Sequence, residues 1–198
     1  MPKRGQSFGR KFLEQWIRYD QTGTKYYDKM DIKHCFENIS WDVIESLLKR
    51  DIHKNSVLIW FIMSLIKTFE KGLSIGSYLS QWLCNYVISY AYHYITEWLY
   101  CYRREKRINY VNHVLIYMDD IILFSSSKKH LAMASKQLTK YLLNTFNLTI
   151  KPNHHIKHVD TEPVDMMGFV IGRTHTEIRA STFVRARRAL IRARRRMA

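Results

Sequence analysis

The sequence predicts an α+β fold, with helices packed on one face of a largely antiparallel sheet. Three observations predict it. The apolar run Val114–Phe124 is broken only by Asp119 and Asp120, the pattern of a buried hairpin with two carboxylates at its tip. The periodicities run strand, helices, hairpin, helix, strands, which is not the strict alternation of a doubly wound sheet. Neither a dinucleotide-binding glycine fingerprint nor a Walker loop is present.

Each element follows from its own pattern. Residues 10–20 form an amphipathic helix with Phe12, Leu13, Trp16 and Ile17 on one side, stopped near Gly23. Tyr26–Ile32 reads as a strand with Asp31 near its end. Ser40 is an N-cap followed by Val43, Ile44, Leu47 and Leu48. A second helix covers Asn55–Thr68. Gly72-Leu73-Ser74-Ile75-Gly76 is a loop, and Tyr78–Trp98 is a long aromatic-rich helix that Ser77 could cap. Asn112–Ser125 is the hairpin. Lys128–Phe146 is helical, with Leu131, Ala134, Leu138, Tyr141, Leu142 and Thr145 at helical spacing. Leu148–Lys151 and Met166–Ile178 are strands, the latter turning near Gly172–His175. Phe183–Ala198 is a helix with one narrow apolar stripe.

Composition narrows the partners. Among 198 residues, 32 Lys and Arg against 17 Asp and Glu leave a net charge of +15, which suits a polyanion and most simply nucleic acid. A hydrophobic content of 46% excludes general disorder. The three cysteines show no paired spacing, which argues against a zinc ribbon or a disulfide scaffold and fits a reducing cytoplasm. His154, His155 and His158 lack a matching cysteine or acidic cluster for zinc. No secretory signal opens the chain, and Val57–Ile66 is too short to span a bilayer, so no membrane is expected.

Ionised carboxylates inside an apolar run are costly unless a cation compensates them. A divalent metal at the hairpin tip would do so, and Asp31 is the best partner carboxylate. Taken alone, Asp31 reads more readily as a helix cap or a surface ion pair with Lys33 than as a metal ligand.

The ordered set of motifs is more specific. Lys29-Met30-Asp31-Ile32-Lys33, followed by Phe36, resembles motif A of reverse transcriptases. Tyr117-Met118-Asp119-Asp120 resembles their Tyr-x-Asp-Asp motif C. Gly72–Gly76 with Ser80-Gln81 is similar to motif B, Leu148-Thr149-Ile150-Lys151 to motif D, and Met167-Gly168-Phe169 to motif E. The resemblance covers roughly residues 10–190. Group II intron and retron enzymes usually show Pro-Gln-Gly in motif B. The Ile75-Gly76-x-x-x-Ser80-Gln81 pattern here resembles the reverse transcriptases of diversity-generating retroelements instead.

That resemblance implies a polymerase palm at residues 26–180, a remnant of the fingers or a connecting helix at 1–25, and the start of a basic thumb helix at 181–198. Fingers and thumb are expected to be truncated. It implies RNA-directed DNA synthesis from dNTPs on an RNA template with a DNA or RNA primer, with a basic accessory protein as a further partner. Asp31, Asp119 and Asp120, with the Ile32 carbonyl, would hold two Mg²⁺ ions, for which Mn²⁺ can substitute. Phe36 would be the steric gate against a 2′-hydroxyl. Gln81, Gly76, Tyr117 and Met118 would line the nucleotide site, and Lys151 would neutralise or protonate the departing pyrophosphate. Arg185, Arg187, Arg188, Arg192, Arg194 and Arg195 would grip the template–primer backbone. The rivals are a non-catalytic nucleic-acid-binding remnant, a group II intron or retron enzyme, and an RNA-dependent RNA polymerase.

Overall fold

The computed structural model describes residues 5–197, and side chains from residue 5 to residue 194. The chain runs α1 (Gln6–Tyr19), β1 (Tyr26–Asp31), α2 (Cys35–Asn38), α3 (Trp41–Asp51), α4 (Ser56–Ile66) and α5 (Tyr78–His93), which continues into a π-helical turn (Tyr94–Trp98). There follow β2 (Tyr100–Arg103), β3 (Lys106–Asn109), β4 (His113–Tyr117), β5 (Asp120–Ser125) and α6 (Lys128–Phe146). β6 (Lys157–His158), β7 (Val164–Met166), β8 (Phe169–Ile171), β9 (Thr176–Ile178) and α7 (Ala180–Met197) complete it.

The main sheet has the order β4-β5-β1-β6, and its pairs are antiparallel. Strand alternation divides its side chains. Met30, Ile121 and Leu123 point into the larger core with α2 to α6, while Tyr27, Ile122 and Phe124 point into a second core. Ile121, Ile122, Leu123 and Phe124 are all fully buried. Each contributes roughly 1.5–3 kcal/mol by leaving water. An uninterrupted apolar strand needs cover on both faces. Helices α2 to α6 supply one cover, and the second face carries Leu13 and Ile17 of α1 with Val164, Met166 and Ile171 of the β7-β8-β9 sheet. Arg173 fastens this second layer: its guanidinium donates to the Ile17 and Gln21 carbonyls and the Thr24 hydroxyl, and pairs with Asp160 at 2.7 Å.

Helix starts follow local chemistry. The Ser40, Asn55 and Ser127 side chains accept from the Val43, Leu58 and His130 amides respectively. α6 ends where Asn147 takes a left-handed conformation.

Three segments depart from the sequence reading. Leu148–Lys151 is not a strand but a single bridge, Ile32 to Ile150, because it crosses the chain just beyond the end of β1. Met166–Ile178 holds the expected hairpin, β8 and β9 turning through residues 172–175, but Met166 belongs to a further strand, β7, that pairs with β8. Residues 100–109 form a hairpin of their own, hidden in the sequence by Arg103–Arg107, which interrupt apolar alternation. Ala198 lies outside the described residues.

Gly72 shows why the loop before α5 needs its first glycine. Its φ is +56°, and a Cβ there would lie 2.4 Å from the Glu37 carbonyl oxygen and 2.6 Å from that of Phe36. Gly76 also has positive φ, +95°, but faces open space. Gly72→Ala is therefore expected to cost about 2–4 kcal/mol, strain plus clash, and Gly76→Ala about 1–2 kcal/mol, strain alone. Urea unfolding of the two variants tests the order.

Candidate active site

The site forms where β1 and the β4–β5 hairpin end together. Asp31 stands directly across from Asp120, and Tyr117 across from Asp120 on the other side. The turn between β4 and β5 has two residues, Met118 and Asp119. Met118 takes φ +57°, a conformation that favours glycine in such tight turns. The tip is tied down: the Ile32 amide donates to the Asp119 carbonyl at 3.0 Å. Just beyond, Lys33 donates to the Thr149 carbonyl and Lys151 to the Asp31 carbonyl, at 2.8 and 2.9 Å. Backbone pairing thus carries Lys151 to the carboxylates.

Two lysines attend the acids. Lys151 Nζ lies 2.8 Å from Asp31 Oδ1, and Lys29 Nζ lies 3.4 Å from Asp120 Oδ1. Lys29 sits two residues before Asp31 on one strand, so it shares the same face. Burial pushes the Asp120 carboxyl above its usual range; Lys29 opposes this, and the neighbouring Asp119 and Asp31 charges reinforce it. Hydrogen bonding to Asp31 raises the Lys151 ammonium. Asp31 Oδ1 is buried, with no hydrogen-bond partner beyond its approach to that ammonium.

Among the described residues, no three His, Cys, Asp or Glu side chains form a ready metal-holding group. The donor chemistry still suits a hard divalent cation: oxygen ligands only, one of them buried and under-partnered, and a desolvated carboxyl beside two others.

The remaining candidate residues fall into two groups. Phe36 is half-buried on α2, and its carbonyl accepts from the Leu73 amide at 2.8 Å, which straps the glycine loop to the helix carrying the ring. α2 is anchored on α5 by a 3.6 Å approach of the Cys35 and Cys84 sulfurs; that approach and burial push the Cys35 thiol up, so it stays protonated. Gln81 lies half-buried in the first turn of α5, and Gly76 is exposed in the loop before it. Tyr117 packs against the second core, and Met118 is half-buried at the turn. Arg185, Arg187, Arg188, Arg192 and Arg194 stand exposed along α7, and the Arg195 side chain lies outside the described residues. Among the described residues, the ion pairs of the carboxylates are with Lys29 and Lys151 and not with these arginines.

The sequence reading missed Lys29, although its i, i+2 spacing to Asp31 was the available signal. It also missed Asp28. This carboxylate is 1% exposed and is satisfied on the helix face by the Ser135 hydroxyl at 2.6 Å and His154 Nδ1 at 3.0 Å. His154 therefore serves an internal acid.

The reverse transcriptase (RNA-dependent DNA polymerase) family model matches residues 4–171. The chain belongs to the reverse transcriptase family. Among solved structures, this reverse transcriptase chain is similar to apo telomerase from Candida tropicalis, with a TM-score of 0.60 and 13% identity over 87% of this chain and 36% of that one. Telomerase from the same organism in complex with a fragment of telomeric RNA gives a TM-score of 0.61 and 14% identity, over 88% of this chain and 33% of that one. Telomerase from Candida albicans gives 0.58 and 12%, over 88% and 33%. At such identities the likeness is one of fold, and the chain spans about a third of the telomerase chains. No curated protein matches it. Among the described residues, no helix is long and apolar enough to cross a membrane.

Raised in the fold, the Asp120 carboxyl holds its proton more tightly folded than unfolded. Its ionisation therefore costs stability as pH climbs from about 3.9 through the raised folded value. Asp120→Asn should melt at a higher temperature than the parent in EDTA at neutral pH. The gain should fade as the pH drops into the range where the parent carboxyl protonates. Calorimetry across pH checks both.

Proposed function

We propose that the chain is the palm of an RNA-directed DNA polymerase, joining a dNTP to a primer 3′-hydroxyl on an RNA template. The observation that carries this is the register that sets Asp31 beside Asp120 while the Ile32 amide holds the Asp119 carbonyl. Family membership supports the reaction class. In this reading residues 1–25 are the end of the fingers, 26–180 the palm and 181–198 the beginning of the thumb. Residues 1–4 lie outside the described part.

The Asp31, Asp119 and Asp120 carboxylates, with the Ile32 carbonyl, would hold two Mg²⁺ ions or Mn²⁺ in their place. Bound there, the ions supply Lewis-acid stabilisation of the reacting phosphate and oxygens. The protein's own groups do the rest. Lys151, already drawn to Asp31, keeps a positive charge where the pyrophosphate departs. Phe36, held by the glycine loop, closes the space a 2′-hydroxyl would need. Gln81 at the head of α5, with Gly76, Tyr117 and Met118, shapes the nucleotide site. The α7 arginines bind backbone phosphates without reading bases. The motif B pattern favours the diversity-generating retroelement type, with a small basic accessory protein as partner and the cytoplasm as location.

Primer extension on an RNA template tests this reading. Asp31→Asn and Asp119→Asn should each lower extension by roughly a hundred- to a thousand-fold with the fold intact. Mn²⁺ titration followed by electron paramagnetic resonance should lose its tight phase in the same variants. Absent extension together with absent Mn²⁺ binding in the parent chain would select the non-catalytic, salt-bridged alternative that the Lys29 and Lys151 ion pairs favour.

Phe36→Val should cut discrimination against ribonucleotides by roughly tenfold or more. Single-nucleotide incorporation with matched dNTP and rNTP measures it, and unchanged discrimination removes Phe36 from the gate.

A further inference from the structure

The β2–β3 hairpin is assigned no role by the catalytic reading. Its two strands pair with each other and with no third strand among the described residues. It leaves the body at the His113 end of β4, so its base is separated from the catalytic turn by the length of that strand, roughly 14 Å. Between Arg103 and Arg107 it carries four cations against one acid, Glu105.

Two observations mark it as more than a connector. Its two-residue turn is Arg104-Glu105, both with positive φ, +50° and +62°. Turns of this kind prefer Asn-Gly, so the tip accepts backbone strain and keeps a charged side chain at each position. Aromatic rings of the same segment are also left in water. Tyr102 is 68% exposed, and Trp98, just before the hairpin, is 69% exposed. Register places Tyr102 opposite Arg107 and Tyr100 opposite Asn109, so Tyr100, Tyr102 and Arg107 share one face. Arg107 already lies over the Tyr100 ring at 4.1 Å and donates to the Thr96 and Glu97 carbonyls, which stiffens the platform. Arg103 and Lys106 face each other on the opposite side.

Unpaired cations at the tip and on one side of this narrow ribbon, with an exposed ring on the other, match an unpaired polynucleotide crossing its edge, whose phosphates are anionic and whose bases can stack. An acidic protein would use the cations and leave the rings in water. We propose that the β2–β3 hairpin binds the unpaired RNA template strand outside the catalytic groove, with Arg103, Arg104 and Lys106 on phosphates and Tyr102 stacked on a base. That the strand is template RNA rests on the proposed function; the stacking and charge argument does not.

Fluorescence anisotropy on the full chain, with a short labelled unpaired RNA, tests it without requiring catalysis. The triple variant Arg103→Gln, Arg104→Gln, Lys106→Gln should weaken binding at least tenfold. Its slope of log affinity against log salt should be shallower by about 2, near 0.7 for each phosphate no longer neutralised. Tyr102→Ala should weaken unpaired RNA at least fivefold and leave blunt duplex RNA unchanged. Melting temperatures equal to the parent's establish that the chain still folds. Unchanged RNA affinity in the triple variant overturns the proposal, as does an equal Tyr102→Ala loss on duplex. Displacement of the RNA by poly-glutamate at equal charge concentration overturns it in favour of an acidic protein. A similar hairpin-dependent loss on unpaired DNA is expected, because phosphate contacts and stacking do not read the 2′-hydroxyl, and a loss on DNA alone overturns the template assignment. Failed primer extension with these binding results intact would count against the proposed function alone.

Discussion

Everything at the site depends on one register. If β1 slipped by a single residue against β5, Asp31 would leave the Asp120 face and enter the core in place of Met30, while Met30 would move beside the hairpin tip. Two things forbid that slip. Tyr27, Ile122 and Phe124 fill one core while Met30, Ile121 and Leu123 fill the other, so a shift would exchange every occupant. The bond from the Ile32 amide to the Asp119 carbonyl then fixes the strand end to the turn. The apolar strands around the acids are thus the gauge that places them.

The same sheet sorts its charges by face. Asp28 and Asp31 lie on one strand, yet they meet opposite fates. Asp28 points toward α6 and is sealed by a serine and a histidine, so its hydrogen bonds are met within the protein. Asp31 points the other way, at the end of the strand, where its buried oxygen has only a lysine beside it. A carboxylate satisfied internally is poorly suited to take up a ligand, and one held short of partners is ready to. Lys29 and Lys151 reduce the cost of gathering three acids without enclosing them, because both ammonium groups remain partly in water.

Much of this was legible in the sequence because the relevant signals are local. The Asp pair in an apolar run gave the hairpin, the Ser40 cap gave the start of α3, and helical spacing gave α6 with its observed ends. What was not legible required knowledge of packing. Nothing near Asp28 announces Ser135 or His154, which approach from more than a hundred residues away. The cover on the second face was hinted at only by the lack of alternation in β5. Leu148–Lys151 has strand composition, but the chain it meets turns away at Lys33 and His34, the latter left-handed at φ +47°, so the ladder ends after one bridge. Propensity cannot see where a neighbour stops.

The charge surplus follows from the same division. Cations close to the acids are engaged: Lys29 and Lys151 with the site, Arg173 and Arg179 with Asp160 and Asp165. Cations with no acidic partner are densest on α7 and on the β2–β3 hairpin, and others, such as Lys128, Lys129, Lys136 and Lys140 of α6, are spread over the body. A uniformly basic surface would favour solubility and little else. A surplus concentrated at α7 and the hairpin instead adds a directional component to the field, and a polyanion can follow it without disturbing the ion pairs that hold the fold.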